Sequence, residues 1–307
     1  MRCCLVPSRT GVAILKMLVV GGLFAGSVSA QAITEEASTY SPPPLSDLSF
    51  NNLFSAGWNE PWARRQRTNG APDLTLLRVQ GNLLLRALRT DFSFEHATDS
   101  SPKDHSQFVN QLIEYSVNRR LMFAAQVNYL WVRDKDEDSG RGVSYGGFVR
   151  LQLVDLPRTS YAFNIRAAAP REGIGETQTP LGFALAGWHD LTPLSLPRVG
   201  LYWHVQEETY LGPHPPGARK NQLTYGLDLA KTWTSPGSPF GNLTTFLENY
   251  ARTELDGNRG GQSYLTLTPG FRFNYHRRHA FIAGVDFPVT APKPFSHVYR
   301  LSYIFSF

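Results

Sequence analysis

Tyr299-Arg300-Leu301-Ser302-Tyr303-Ile304-Phe305-Ser306-Phe307, the stretch YRLSYIFSF on which the sequence stops, sets Tyr299, Leu301, Tyr303, Phe305 and Phe307 at every second position. Alternate residues of a strand project to one face, so these five side chains form an apolar, aromatic stripe while Arg300, Ser302 and Ser306 point the other way. Chain ends usually fray. An apolar face carried to the final residue therefore asks for an apolar surrounding, and the reading of the whole chain turns on what that surrounding is.

The same period-2 pattern runs backwards through the sequence to about residue 83. Leu88, Phe92 and Phe94 alternate with Arg89, Asp91, Ser93 and Glu95; Leu121, Phe123, Ala125, Val127, Tyr129 and Trp131 share one parity; Val143, Tyr145, Val149, Leu151 and Leu153 oppose Ser144, Arg150 and Gln152; Tyr161, Phe163 and Ile165 oppose Asn164 and Arg166. A weaker strand is expected over 107–117, and others near 179–191, 198–210, 222–234, 241–254, 262–275, 280–289 and 297–307, which makes twelve. Pro269 falls inside one of them, and because proline cannot donate to a ladder a bulge or kink is expected there.

The breaks between strands alternate as well. NRR, DLPRTS, TPLSLPR, SPGSPFG and HRRH make one set; DKDEDSGRG, REGIGETQ, GPHPPGARKN, DGNRGGQ and TAPKPFS make a second, longer and more polar set. An even number of antiparallel strands with short turns at one end and longer loops at the other is the pattern of a transmembrane up-and-down β-barrel. No run of about 18 apolar residues follows Ala30, so membrane-crossing helices are excluded, a test that a barrel escapes. In hydrocarbon every backbone N–H and C=O must be paired, and a sheet achieves this only when closed. YRLSYIFSF is then a seam strand that pairs with the first.

Residues 1–30 read as an export signal: Arg2, Arg9 and Lys16, the apolar run MLVVGGLFAG, and Val28-Ser29-Ala30 before a cleavage point. That signal holds three of the cations behind the formal charge of +5, so no basic nucleic-acid surface is expected in the mature chain. Its two cysteines, Cys3 and Cys4, are the only ones in the sequence, which leaves no disulfide or thiolate metal site beyond it. Residues 31–80 differ from the rest, mixing SPPPLSD with LFSAGWNEPWARRQRTNGAPD. They are read as an irregular periplasmic lead-in that covers the barrel mouth, plugs it, or forms a linker; residues 81–307 are read as the barrel.

The signal, the alternating strands and the terminal aromatic residue resemble Gram-negative outer-membrane β-barrels, in which such a closing strand serves as the assembly signal. Leu301, Tyr303, Phe305 and Phe307 match that pattern. More narrowly, LFSAGWNEPW and VNRRLMFAAQVNYLWV resemble the outer-membrane proteins of the meta-pathway phenol-degradation type. The resemblance implies an outer-membrane location, lipid and the barrel assembly machinery as partners, no cofactor, and a transport or structural role without a named solute.

Strand parity assigns Arg89, Asp91, Glu95, Arg150, Arg166, Tyr202, His204, Glu208, Asp228, Glu248, Tyr250, Arg252, Arg272, Asp286 and Arg300 to the lumen as candidate pore-lining residues, with Glu114, Phe148 and Phe246. Six arginines against seven carboxylates is close to neutral, whereas a strongly selective ion pore carries a ring of one sign. Paired charges and arginines beside rings suit a small organic anion or aromatic solute. A passive channel is the favoured expectation, a structural or adhesive barrel the alternative, and a membrane lipid hydrolase the third. The hydrolase needs Ser and His two apart on one strand face, and no His-x-Ser occurs. His105-Ser106 and Ser296-His297 are adjacent and are expected in loops on opposite faces. His276 and His279 flank Arg277-Arg278 with no third metal ligand in view.

Overall fold

A computed structural model describes residues 45–65, 67, 71–78, 81–98, 103–134, 139–172, 177–234, 241–275, 278–291 and 293–307. The expected signal with Cys3 and Cys4, the start of the lead-in, and His276 lie outside them. The described chain forms β1 (Arg86–His96), β2 (Lys103–Ser116), β3 (Leu121–Asp134), β4 (Ser139–Leu156), β5 (Thr159–Ala168), β6 (Thr179–Asp190), β7 (Val199–Leu211), β8 (Asn221–Thr232), β9 (Asn242–Glu254), β10 (Ser263–Tyr275), β11 (His279–Pro288) and β12 (His297–Ser306). Each strand pairs antiparallel with its neighbours in sequence, and β1 closes on β12 from Ala87–Ser306 to His96–His297. The fold is the expected all-β one, a closed twelve-stranded up-and-down barrel of the transmembrane type.

Alternation decides what each face meets. Leu88, Phe123, Val149, Ile165, Leu185, Leu227, Leu247, Phe271 and Leu301 are all exposed on the outside. A water-soluble monomer rarely leaves more than a few hundred Å² of contiguous apolar surface uncovered, and an encircling belt of this kind has lipid as its natural solvent. Aromatic side chains stand at both edges of the belt: Tyr115, Trp203, Tyr275 and Tyr303 towards the short turns, Tyr129, Trp131, Tyr145, Tyr225 and Tyr299 towards the long loops. Such girdles sit at the two interfaces of a membrane.

Two local expectations change. Pro269 makes no bulge: β9 and β10 stay in register through Thr268–Glu248, Pro269–Leu247 and Gly270–Phe246. Towards β11 the ladder skips Thr268 and Pro269 and resumes at Gly270–Gly284 in the same register as Leu267–Phe287. The missing donor thus costs a rung, not a residue. A register shift falls instead between Gln152 and Val154 on the β5 side of β4, where the Gln152 amide turns inward onto Val154 O and Tyr161 O. Finally, part of DKDEDSGRG is strand, with Gly142 to Ser139 pairing Leu130 to Arg133. Backbone pairing there needs no apolar face, and an 18-residue β4 outruns the roughly 9–11 residues a tilted strand needs to cross hydrocarbon.

Candidate functional site

The lead-in both covers one mouth of the barrel and enters it. At the short-turn mouth Leu48 pairs with Asp155 and Pro61 with Asn118. The β2–β3 turn holds this cover through two buried guanidinium groups. Arg119 donates to Glu60 Oε2 at 2.6 Å and to Ser46 Oγ at 2.8 Å and lies 3.3 Å from Asp155. Arg120 donates to the carbonyls of Ala56, Asn52, Gln152 and Leu153, each at 2.9 Å. The NRR sequence is therefore a clamp as well as a turn, a role invisible in the sequence because its partners are mostly backbone oxygens. Burial works to raise the Glu60 carboxyl, but the hydrogen bonds from Arg119 and Ser46 outweigh it and hold the group below its ordinary value.

From residue 71 the chain runs inside the barrel, and its described residues 81–85 return to the same mouth to start β1. Irregular backbone in a lumen leaves carbonyls and amides that need partners, and lumen-facing side chains supply them. Trp188 and Tyr202 donate to Pro72 O, Arg272 to Thr75 O, Arg89 to Leu76 O at 3.1 Å, and Arg150 to Leu83 O. Leu76, Leu83, Leu84 and Leu85 pack with Trp188, Tyr202, Met122, Phe246 and Ile282 into one buried cluster, with Phe148 at its edge. At mid-depth the amides of Leu77 and Arg78 both donate to Glu248 Oε1, at 2.9 and 3.0 Å. The Arg78 guanidinium reaches Asp286 Oδ2 at 2.9 Å, the oxygen that Arg300 also approaches, at 2.7 Å.

The candidate pore-lining residues thus fall into two groups. Arg89, Arg150, Tyr202, Asp228, Glu248, Arg272 and Asp286 are buried around this plug. Asp228, Glu248 and Thr268 stand side by side across β8, β9 and β10, with Asp286 bonded to Thr268. Asp91, Arg166, His204, Glu208, Tyr250, Arg252 and Arg300 line an open vestibule of about 780 Å³ floored by Leu77 and Arg78. Glu95 stands near the long-loop end of β1, opposite Ser106 and Val298. The near-neutral balance of the whole lumen does not carry over to the vestibule, whose wall holds the guanidinium groups of Arg78, Arg166, Arg171, Arg219, Arg252 and Arg300 against the carboxylates of Asp91 and Glu208. Asp228, Glu248 and Asp286 lie deeper, against the plug, while Glu254 at the long-loop end of β9 stands 3.4 Å from Arg219 and 3.7 Å from Arg252.

On the outer face, Ser296 and His297 are not separated as expected. His297 opens β12, and Ser296 Oγ lies 3.1 Å from its Nδ1 because a side chain just outside a strand can rotate back onto its neighbour's ring. The His297 ring packs on His96 and Tyr299, and no carboxylate bonds it among the described residues. His105 and Ser106 both lie in β2, not in a loop.

Leu301, Tyr303 and Phe307 are outward and at least partly exposed, with Phe305 between them. Together with the belt, the closed sheet defines the class: a membrane β-barrel of outer-membrane type with its own chain as plug. Among solved structures the chain is similar to the KdgM porin (11% identity, TM-score 0.45, covering 72% of this chain and 99% of that one). It is similar also to the NanC porin (8%, 0.47, 72% and 99%) and to LpxR from Salmonella typhimurium (9%, 0.43, 72% and 100%). No protein-family model matches the chain, and no curated protein matches it. None of these likenesses carries a solute or an activity to this chain.

Proposed function

We propose that the chain is a β-barrel of the Gram-negative outer membrane that admits small anionic or aromatic solutes from its long-loop side, as a channel or transporter and not as an enzyme. The vestibule carries this reading: a cavity of about 780 Å³ open at one mouth, rich in guanidinium groups and walled by Tyr210 and Tyr250, has the size and chemistry of a small-molecule site. In this reading residues 1–30 direct export, the short-turn mouth faces the periplasm, and the closing strand ending at Phe307 is what the assembly machinery recognises.

The plug favours a second reading, a barrel with no conducting path that works through its outer loops. Swelling of liposomes holding the purified barrel separates the two. Uptake of small organic anions such as benzoate in preference to neutral sugars of similar size, rising when the plug is loosened by Arg272→Ala, supports the channel. Absence of uptake by both proteins leaves the non-conducting barrel.

A further inference from the structure

The β7–β9 wall of the vestibule carries polar atoms that the fold itself does not use. His204 is 1% exposed, yet neither ring nitrogen has a hydrogen-bond partner. Gln222 Oε1 and Arg252 Nε on the same wall are likewise buried without one. A buried polar group left unpaired is costly, so a natural core removes it or gives it a partner. His204 is instead accommodated at the expense of its neighbour: Gly226 stands between His204 and Tyr250 in the ladder, and a Cβ there would lie 2.6 Å from the imidazole. The His204 and Tyr250 rings are 5.8 Å apart. The Arg78 guanidinium of the plug stacks on the Tyr250 ring, 3.8 Å from its centre, while donating to Asp286. One register step towards the loops, Gln206, Thr224 and Arg252 form the next row.

We infer that this wall is a binding site for a small carboxylate with a flat apolar body, built jointly by plug and barrel. Arg252, 3.7 Å from Glu254 but with its Nε unpartnered, and Arg78, shared with Asp286, bind the carboxylate through their remaining N–H groups. The imidazole of His204 hydrogen-bonds the ligand, and the face of Tyr250 turned away from Arg78 covers the flat body. Cations are rejected, since the guanidinium groups face them with like charge. The inference rests on the solute-handling reading above and specifies where the solute stops.

Titration calorimetry on the intact barrel in detergent, with benzoate as probe and benzylamine as its cationic counterpart, tests the site. Saturable benzoate binding, no benzylamine binding, and affinity weakened about tenfold or more by Arg252→Gln and several-fold by His204→Phe support it, provided both variants keep their heat-modifiable gel mobility. Equal binding of the two probes, no benzoate binding, or benzoate affinity untouched by both substitutions overturns it. Saturable binding without liposome swelling supports the site while sinking the conducting reading alone.

Discussion

The backbone N–H of Phe307 donates to the carbonyl of Arg86 at 3.1 Å, one step past the Ala87–Ser306 pair, so the closing ladder is used to its final residue. Deletion of Phe307, or Phe307→Asp, is expected to cripple membrane assembly while synthesis and export continue. The direct cost of a charge at this interfacial height is only roughly 0 to 1 kcal/mol, so a large defect means recognition of the strand, not stability. Normal outer-membrane levels with normal heat-modifiable mobility would rule this out.

Arg150 and Arg272 face the plug, whereas Leu151 faces outward. Arg272→Ala removes a charged donor from Thr75 O, a loss of about 1.5–3 kcal/mol. Arg150→Ala also leaves Glu114, 3.7 Å away, as a buried charge without that partner, at about 3–5 kcal/mol. Both should raise protease cleavage within 71–85 and alter conductance, Arg150→Ala more, with Leu151→Ala unchanged. Equal effects on the two faces would refute the assignment.

Glu60 ties the cover to pH. Its carboxyl is held below the ordinary range, so the folded state binds that proton less readily than the unfolded chain. The stabilisation is complete above the unfolded value and fades as pH falls through the depressed one. Residues 45–65 should gain hydrogen exchange as pH drops below the usual carboxylate range of about 4, and Glu60→Gln should flatten that dependence. A cover equally protected at low pH in both proteins would count against the Arg119–Glu60 clamp.

Glu248 holds the plug tip through one oxygen. Glu248→Gln keeps an acceptor and should change little, whereas Glu248→Ala should speed amide exchange at Leu77 and Arg78 by about tenfold or more, the equivalent of 1–3 kcal/mol. Unchanged exchange in the Ala variant would show that the tip is held elsewhere.

The strands were legible because the apolar face must be continuous: Leu121 to Trp131 can be read one residue at a time, and the barrel count with them. Parity also named the face of Arg89, Arg150 and Arg272, but not their partners in the plug, since these are carbonyls of Thr75, Leu76 and Leu83 and a carbonyl leaves no mark in a sequence. The same holds for Arg120 in the turn. The charge separation between vestibule and plug was hidden for a different reason: it depends on depth along the lumen, which face assignment does not report. Pro269 misled because the rule about its missing N–H says that a bond is lost and not how the strand accommodates it.

The inserted segment enters past Asn118, Arg119 and Asp155 and leaves to Arg86, which pairs with Tyr115, so both of its limbs cross the same rim. In topological terms the barrel is occupied by a bight and not threaded by a strand. A bight can be drawn out without passing a chain end through the ring, and withdrawal breaks no strand pair, including the β1–β12 seam. Emptying the lumen and opening the sheet are therefore separable events with separate energies, and the first sets the hydrogen bonds that Trp188, Tyr202, Arg272, Arg89, Arg150, Glu248 and Asp286 make to the segment against those of water.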